Sequence, residues 1–289
     1  MDRTAVALEV IAWYASHARD LPWRAAGVTP WGVMVSEFML QQTPVSRVEQ
    51  PWRQWLARWP TPAALAAEPA GEAVRAWGRL GYPRRALRLH QAATAILERH
   101  DGEVPSSLDD LRALPGVGEY TAAAVATFAH GRRHVVLDTN VRRVIARLEG
   151  GEELPGRSLS VAERARAADW LPADDAEAVR WSVGAMEFGA TLCTAMSPRC
   201  DECPVAASCA WLALGRPRTA EGRRHQPYEG TDRQARGVLL GALRQADRPL
   251  PEADLLALWN PDAGQARRAL AGLLDDGLVH LAGPGLYSL

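Results

Sequence analysis

The sequence predicts an all-α protein, and three observations lead there. Apolar residues recur at three- and four-residue spacing through most of residues 1–215. Short Pro- and Gly-containing breakers separate those stretches. No convincing run of alternating apolar and polar residues occurs before residue 230. In chain order, helical patterns run from Ala5 to Ala18, Val45 to Trp59, Ala63 to Leu80, Arg84 to Arg99 and Thr121 to Gly131. The breakers are Leu21-Pro22, Trp59-Pro60-Thr61-Pro62, Gly81-Tyr82-Pro83, Asp101-Gly102 and Pro115-Gly116. A stretch from Gly215 to Gly230 has linker composition. Beyond it, helical patterns over Gln234 to Gln245, Glu252 to Leu258 and Ala263 to Asp276 precede a tail with a Gly-Pro-Gly turn. Three helices and a terminal hairpin predict a small winged-helix-like unit.

The chain has 289 residues, room for about two domains at roughly 150 residues each. Hydrophobic residues make up 47% and charged residues 23%, which excludes a disordered chain. No apolar stretch reaches the ~18–20 residues of a membrane span; the best, Thr121 to Ala129, is half that. Asp2 and Glu9 interrupt any signal-peptide core, so a cytoplasmic protein is expected. All 33 residues counted as lysine plus arginine are arginine. With no lysine, chemistry that needs a side-chain amine, such as a Schiff base with a sugar carbon, is closed. The net charge of −1 gives no bulk attraction to nucleic acid. Arginines nevertheless run together at 75, 79, 84, 85 and 88 and at 132, 133, 142, 143 and 147. Such runs are either solvated helix faces or phosphate-binding patches.

Four cysteines, Cys193, Cys200, Cys203 and Cys209, crowd into 17 residues with spacings of six, two and five. That crowding favours metal over disulfides. Zinc usually takes two CxxC pairs, whereas four thiolates in a compact loop suit a 4Fe–4S cluster; the spacing leaves both open.

Three further motifs carry chemistry. Leu114-Pro-Gly-Val-Gly-Glu-Tyr-Thr-Ala122 joins two helical patterns. Its Gly116 and Gly118 allow a tight turn, and the helix that follows offers backbone amides to a phosphate. It is either an ordinary turn or a helix–hairpin–helix, the module that grips DNA phosphates irrespective of sequence. In Val135-Val-Leu-Asp-Thr-Asn-Val-Arg-Arg-Val144, Asp138 is an N-cap or a carboxylate placed near a bound sugar. Glu37 lies among Phe38, Met39 and Leu40, so desolvation should raise its pKa towards the range of a group that donates and then accepts a proton. The alternative is a helix-face glutamate pointing to water.

Together these motifs resemble the iron–sulfur helix–hairpin–helix DNA glycosylases, and within them the MutY-type adenine DNA glycosylases. Ser36-Glu-Phe-Met-Leu-Gln-Gln-Thr43 is similar to that branch's glutamate-bearing motif. The endonuclease III branch places a catalytic lysine in the hairpin, where this chain has Tyr120. The resemblance spans residues 3–215 and implies a helix–hairpin–helix glycosylase fold. Its parts would be a six-helix barrel domain over 23–132 and an iron–sulfur domain from 1–22 and 133–215. A linker over 216–232 and the winged-helix-like unit over 233–289 complete the chain.

The implied activity is hydrolytic removal of adenine mispaired with 8-oxoguanine or guanine from double-stranded DNA, by a monomer associated with the nucleoid. Glu37 would protonate the leaving adenine and then activate water. Asp138 would stabilise the sugar cation, with Tyr120 and Asn140 orienting both. Substrate-binding positions carried by the resemblance are Trp23, Arg24, Leu40, Gln42, Tyr82 and Glu187. Of these, Trp23, Arg24 and Glu187 would line the adenine pocket, while Gln42 and Tyr82 would enter the duplex. Gly116, Val117 and Gly118 would hold phosphate, and the four cysteines a 4Fe–4S cluster.

Two departures stand out. Pro83 follows Tyr82 where the family commonly has a second aromatic, and about 74 residues follow Gly215 where many bacterial members carry a much larger Nudix-like domain. With ten arginines against nine acids, residues 216–289 are expected to add phosphate-backbone affinity. The rival readings are a thymine–guanine mismatch glycosylase and a non-catalytic DNA-binding protein of the same fold.

Overall fold

The computed structural model describes residues 1–218 and 228–289. The expected linker, 216–232, lies mostly outside the described residues. No described helix is long and apolar enough to cross a membrane. In chain order the helices are α1 (Arg3–His17), α2 (Pro30–Leu40), α3 (Glu49–Arg58), α4 (Pro62–Ala66), α5 (Ala70–Trp77) and α6 (Arg84–Arg99). They continue with α7 (Leu108–Arg112), α8 (Glu119–His130), α9 (Thr139–Ile145), α10 (Val161–Asp169), α11 (Asp175–Thr191) and α12 (Ala210–Ala213). The C-terminal residues add α13 (Asp232–Gln245), β1 (Leu250–Pro251), α14 (Glu252–Ala257), α15 (Ala263–Asp275), β2 (His280–Gly283) and β3 (Leu286–Ser288).

Helix ends follow from local chemistry. Asp2 caps α1 by accepting from the amides of Thr4 and Ala5, and Ser160 and Asp174 cap α10 and α11 in the same way. Gly131 closes α8 in the left-handed region at φ 66°, which a Cβ would resist. The periodic stretch from Ala63 to Leu80 is two helices and not one. Pro69, which has no amide to donate, separates α4 from α5.

The described residues pack as two compact units. The first comprises Met1–Met34, Ser106–Arg112 and the described part of Val117–Arg223. Here α1 and α9 pack on α11, and α7 packs on α8. Its core includes Val10, Trp13, Val144, Trp170, Trp181 and Phe188. Trp170 stacks on Trp181 at 5.3 Å, and Trp13 meets Phe188 edge-on at 5.1 Å. Each such pair adds about 0.5–1.5 kcal/mol beyond its buried area.

The second unit comprises Val35–Pro105, Ala113–Gly116 and the described part of Arg224–Leu289. Helices α4 and α5 pack on α6, whose buried face carries Arg85, Leu89, Ala92, Ala93 and Ile96 at helical spacing. Trp55 meets Trp59 and Trp77 edge-on at 4.6 and 5.6 Å. In the C-terminal residues α13 packs on α15, and the strands form an antiparallel sheet in the order β1-β3-β2. Helix–strand–helix–helix–strand–strand with this pairing is a winged-helix topology, as the sequence predicts. Strand β1, two residues long, leaves no periodic signal to read.

Candidate active site and cysteine cavity

In the first unit, Asp138 is the N-cap of α9. Its Oδ1 accepts from the amides of Asn140 at 2.9 Å and Val141 at 2.7 Å, and its Oδ2 from Asn140 Nδ2 at 2.7 Å. Burial pushes this carboxyl up; the three donors and the Arg143 charge offset part of the rise. Of the two readings the sequence allows, the N-cap is the one these contacts describe.

Asn140 is itself fixed. Arg143 Nη2 donates to Asn140 Oδ1 at 2.8 Å and to the Gly189 carbonyl at 2.6 Å, while its Nε donates to the Cys193 carbonyl at 2.9 Å. Helix α11 passes so close that a Cβ on Gly189 would stand 2.8 Å from Asn140 Cβ and 2.9 Å from its carbonyl oxygen. Tyr120 is half-buried against the cluster of Ala123, Ala124 and Val136.

Glu187, also on α11, is fully buried beneath two arginines. Arg19 donates to it through Nη2 at 2.9 Å and through its backbone amide, and Arg24 donates through Nη1 at 2.9 Å. Burial alone would raise this carboxyl, but Arg19 and Arg24 outweigh it and hold the group below the usual carboxylate range. Trp23 is buried in the short 3₁₀ turn Pro22–Arg24 that positions Arg24.

In the second unit, Glu37 is only 6% exposed on α2, flanked by the buried residues Val35, Ser36, Phe38 and Met39. It does not point to water. Leu40, half-buried, ends the helix. Gln42 and Tyr82 both adopt left-handed backbone, at φ 55° and 47°. That conformation costs a side-chain-bearing residue about 1–2 kcal/mol, so the surroundings must impose it.

Arg85 supplies the constraint. Its Nη1 donates to the carbonyls of Phe38, Met39 and Gln41 at 2.8, 3.0 and 2.5 Å. Its Nη2 donates to Thr43 Oγ1 at 2.9 Å and the Gly81 carbonyl at 3.0 Å. One guanidinium thus ties both turns together. Burial pushes Arg85 down to about 10, which still leaves it charged at neutral pH.

Gly116, at φ 78°, is required twice over: a Cβ there would lie 2.6 Å from Arg88 Cβ and 3.0 Å from Phe38 Cε1. Val117 is buried, and Gly118 caps α8 with no side chain. Glu119, an anion at the start of α8, is paired with Arg164.

The four cysteines line one cavity of about 390 Å³, mouth included, together with Arg147, Phe188 and Trp211. Arg147 is 1% exposed, stacks over Trp211 at 4.5 Å and donates through Nη1 to Cys193 Sγ at 3.2 Å. Burial pushes the Cys203 thiol up to about 12, the neighbouring thiols add to the rise, and Cys209 moves the same way. Thiols so desolvated are poor thiolates by themselves. A cationic metal group is what stabilises such a donor set.

Reading the arginine runs as solvated faces or phosphate patches fails for Arg85, Arg143 and Arg147, which are 8%, 6% and 1% exposed. A signal for this exists in the sequence. Arg85 shares its helical face with Leu89, Ala93 and Ile96, and Arg143 stands one turn before Arg147. Gly189, at the end of Met186-Glu-Phe-Gly189, has its reason in Asn140, which spacing alone cannot show.

A helical hairpin, a capped carboxylate and a four-cysteine cavity on this fold define a class, and the comparisons agree. Residues 35–167 match the HhH-GPD superfamily of base excision DNA repair proteins. The chain is 49% identical to the adenine DNA glycosylase of Mycolicibacterium smegmatis over 283 residues, covering 98% of this chain and 95% of that one. It is 49% identical over 282 residues to that of Mycobacterium tuberculosis H37Rv, covering 97% and 92%. A solved thermostable thymine-DNA glycosylase is similar at a TM-score of 0.66 and 25% identity, covering 73% of this chain and 97% of that one. The chain belongs to the HhH-GPD superfamily of base excision repair glycosylases and, within it, to the adenine DNA glycosylases. The mycobacterial matches run through the C-terminal unit, where the motif resemblance stops.

Proposed function

We propose that this glycosylase removes adenine mispaired with 8-oxoguanine or guanine, hydrolysing the N-glycosidic bond of a base flipped out of the duplex. The observation that carries the reading is Asp138, a carboxylate held by three uncharged N–H donors. Its negative charge is left for the positive sugar that develops as the bond breaks. Glu37, buried on α2, protonates the leaving adenine and then takes a proton from the attacking water. Tyr120 and Asn140 orient these groups. Trp23, Arg24 and Glu187 line the adenine pocket, Leu40 binds substrate, Gln42 and Tyr82 enter the duplex, and the backbone of Gly116, Val117 and Gly118 holds a phosphate.

Functionally the chain divides into the barrel (23–132), the cluster domain (1–22 and 133–215), the linker (216–232) and the winged-helix unit (233–289), working as a monomer. Cys193, Cys200, Cys203 and Cys209 would hold a 4Fe–4S cluster. The four thiols line one shared cavity, which is what supports this reading. When bound, that cluster supplies structural order to its loop. Without lysine the enzyme leaves an intact abasic strand.

The test is single-turnover assay on duplexes with A opposite 8-oxoguanine, A opposite G, and T opposite G. Release of adenine from the first two supports the reading. Release of thymine alone, which the likeness to a thymine-DNA glycosylase makes the second reading, overturns it. Trapping of a protein–DNA adduct by borohydride would contradict the intact strand, and zinc in place of iron in anaerobically purified protein would contradict the cluster.

A further inference from the structure

The C-terminal winged-helix unit makes specific contacts within the compact unit that carries Glu37 and Tyr82. Arg75, on α5, donates through Nη1 to the carbonyls of Leu243 at 3.3 Å, Arg244, and Ala246 at 3.1 Å, at the C-terminal end of α13. Arg244 answers from α13, its Nε donating to the Val74 carbonyl on α5 at 2.9 Å. Each helix is thus held near its C-terminal end by the other's arginine, where carbonyls lack intrahelical partners. A Cβ on Gly71 would lie 2.6 Å from the backbone carbonyl of Leu289, so the two segments touch along α5 as well. Asp276, just past α15, pairs with Arg84 at 3.3 Å and also with Arg236.

These contacts bracket Tyr82. Upstream, α5 ends at Trp77, whose indole donates to the Gly81 carbonyl at 3.0 Å. Downstream, Arg84 follows Tyr82 by two residues. Tyr82 itself is 56% exposed in a left-handed turn, a conformation that persists only where neighbours impose it. The sequence leads one to expect a phosphate-binding arm. In the structure, however, Arg236 and Arg244 are engaged in protein contacts, and Arg268 lies near Asp232 and Asp262 at 3.9 and 3.8 Å.

We propose that the winged-helix unit braces the Tyr82 turn, with Arg75, Arg244 and Asp276 as positioning residues that set how readily the target base leaves the stack. The proposal rests on the reading that Tyr82 enters the duplex. Its test uses the full chain and a duplex with 2-aminopurine at the target position, whose fluorescence reports flipping by stopped flow. Equilibrium binding of an undamaged duplex is measured over a salt series beside it.

Arg244→Ala and Asp276→Ala are each expected to slow flipping about fivefold, the factor one net hydrogen bond represents. Arg244→Lys should recover most of the loss, and undamaged-duplex binding and its salt slope should stay unchanged. Tyr82→Ala should slow flipping at least as much, and the Tyr82→Ala/Arg244→Ala double variant should be no slower than Tyr82→Ala alone. Should Arg244→Ala fail to fold, Gly71→Ala, which introduces a residue that helices favour, probes the second contact between α5 and this unit, at Leu289, and slowing of the same sign is expected.

Normal flipping in the brace variants, or strictly additive losses with Tyr82→Ala, overturns the proposal. So does a uniform loss of affinity with a shallower salt slope, which would make the unit a phosphate-binding arm. If Tyr82→Ala itself flips normally, the role given to Tyr82 fails and the brace falls with it.

Discussion

Glu187 and Asp138 are both carboxylates set into the first unit, and their surroundings push them in opposite directions. Glu187 meets two guanidinium groups, which outweigh its burial and hold it ionised. Asp138 meets two backbone amides and a side-chain amide, so burial wins and its pKa rises. A carboxylate already matched by two cations has little field left for a third. One held by neutral dipoles would keep its field for a sugar cation in the role proposed for Asp138. The partner's charge, more than burial, sets the direction in which each acid is pushed.

The sharpest contrast is kinetic. Asp138→Asn should lower the single-turnover rate on A opposite 8-oxoguanine by about 10²–10³-fold while duplex binding persists, since an amide still caps α9 but carries no charge. Glu37→Gln should cost about 10²–10⁴-fold under the same assay, because an amide cannot give the required proton. A near-normal rate in either variant removes that residue from its role.

Glu187→Gln should act on stability first, lowering unfolding free energy by about 2–3 kcal/mol in urea titration. That lies under the range for a fully enclosed pair because Arg19 is 39% exposed. If Glu187→Gln instead left stability untouched and abolished turnover, the two acids would have to exchange descriptions. Gly189→Ala, which drives a methyl into Asn140, should cost about 1–3 kcal/mol and slow turnover through the displaced amide.

The smallest effect is in pH. With its folded pKa raised, Asp138 makes the folded protein bind more protons than the unfolded chain, so stability falls as pH rises from about 4 through the folded value. Asp138→Asn should lack that slope. With its folded pKa lowered, Glu187 contributes stability that is present above its ordinary pKa and lost as pH falls through the folded one. Urea midpoints of the two variants across acidic pH should therefore deviate from the parent in opposite senses.

Much of this is legible in the sequence alone. The breakers mark helix ends because proline removes a donor and glycine admits positive φ, and both are local properties. Asp138 declared itself as a polar interruption before an apolar helix, and its cap geometry follows. Arg85 and Arg143 were harder. An arginine run looks the same whether it faces water or a ring of carbonyls, and those carbonyls come from segments up to 50 residues away. The same holds for Gly189, whose need for a missing side chain lies in Asn140. Strand β1 was invisible for a different reason, being set by pairing with β3 and not by its own two residues.

The clasp between α5 and α13 has a consequence for how the chain comes to be folded. Arg75 and the Arg244 carbonyl are 169 residues apart in sequence, so the unit that holds Glu37 is closed by contacts among the most distant in the protein. The loop-closure cost grows only slowly with length, about 0.6 kcal/mol per doubling, yet such contacts form late because the intervening chain must be made and gathered first. On the ribosome, residues 35–105 emerge long before their partners on α13 exist. The exposed face of α5 must then wait through the synthesis of the entire cysteine loop, which makes that half of the protein the one most dependent on protection while it is being made.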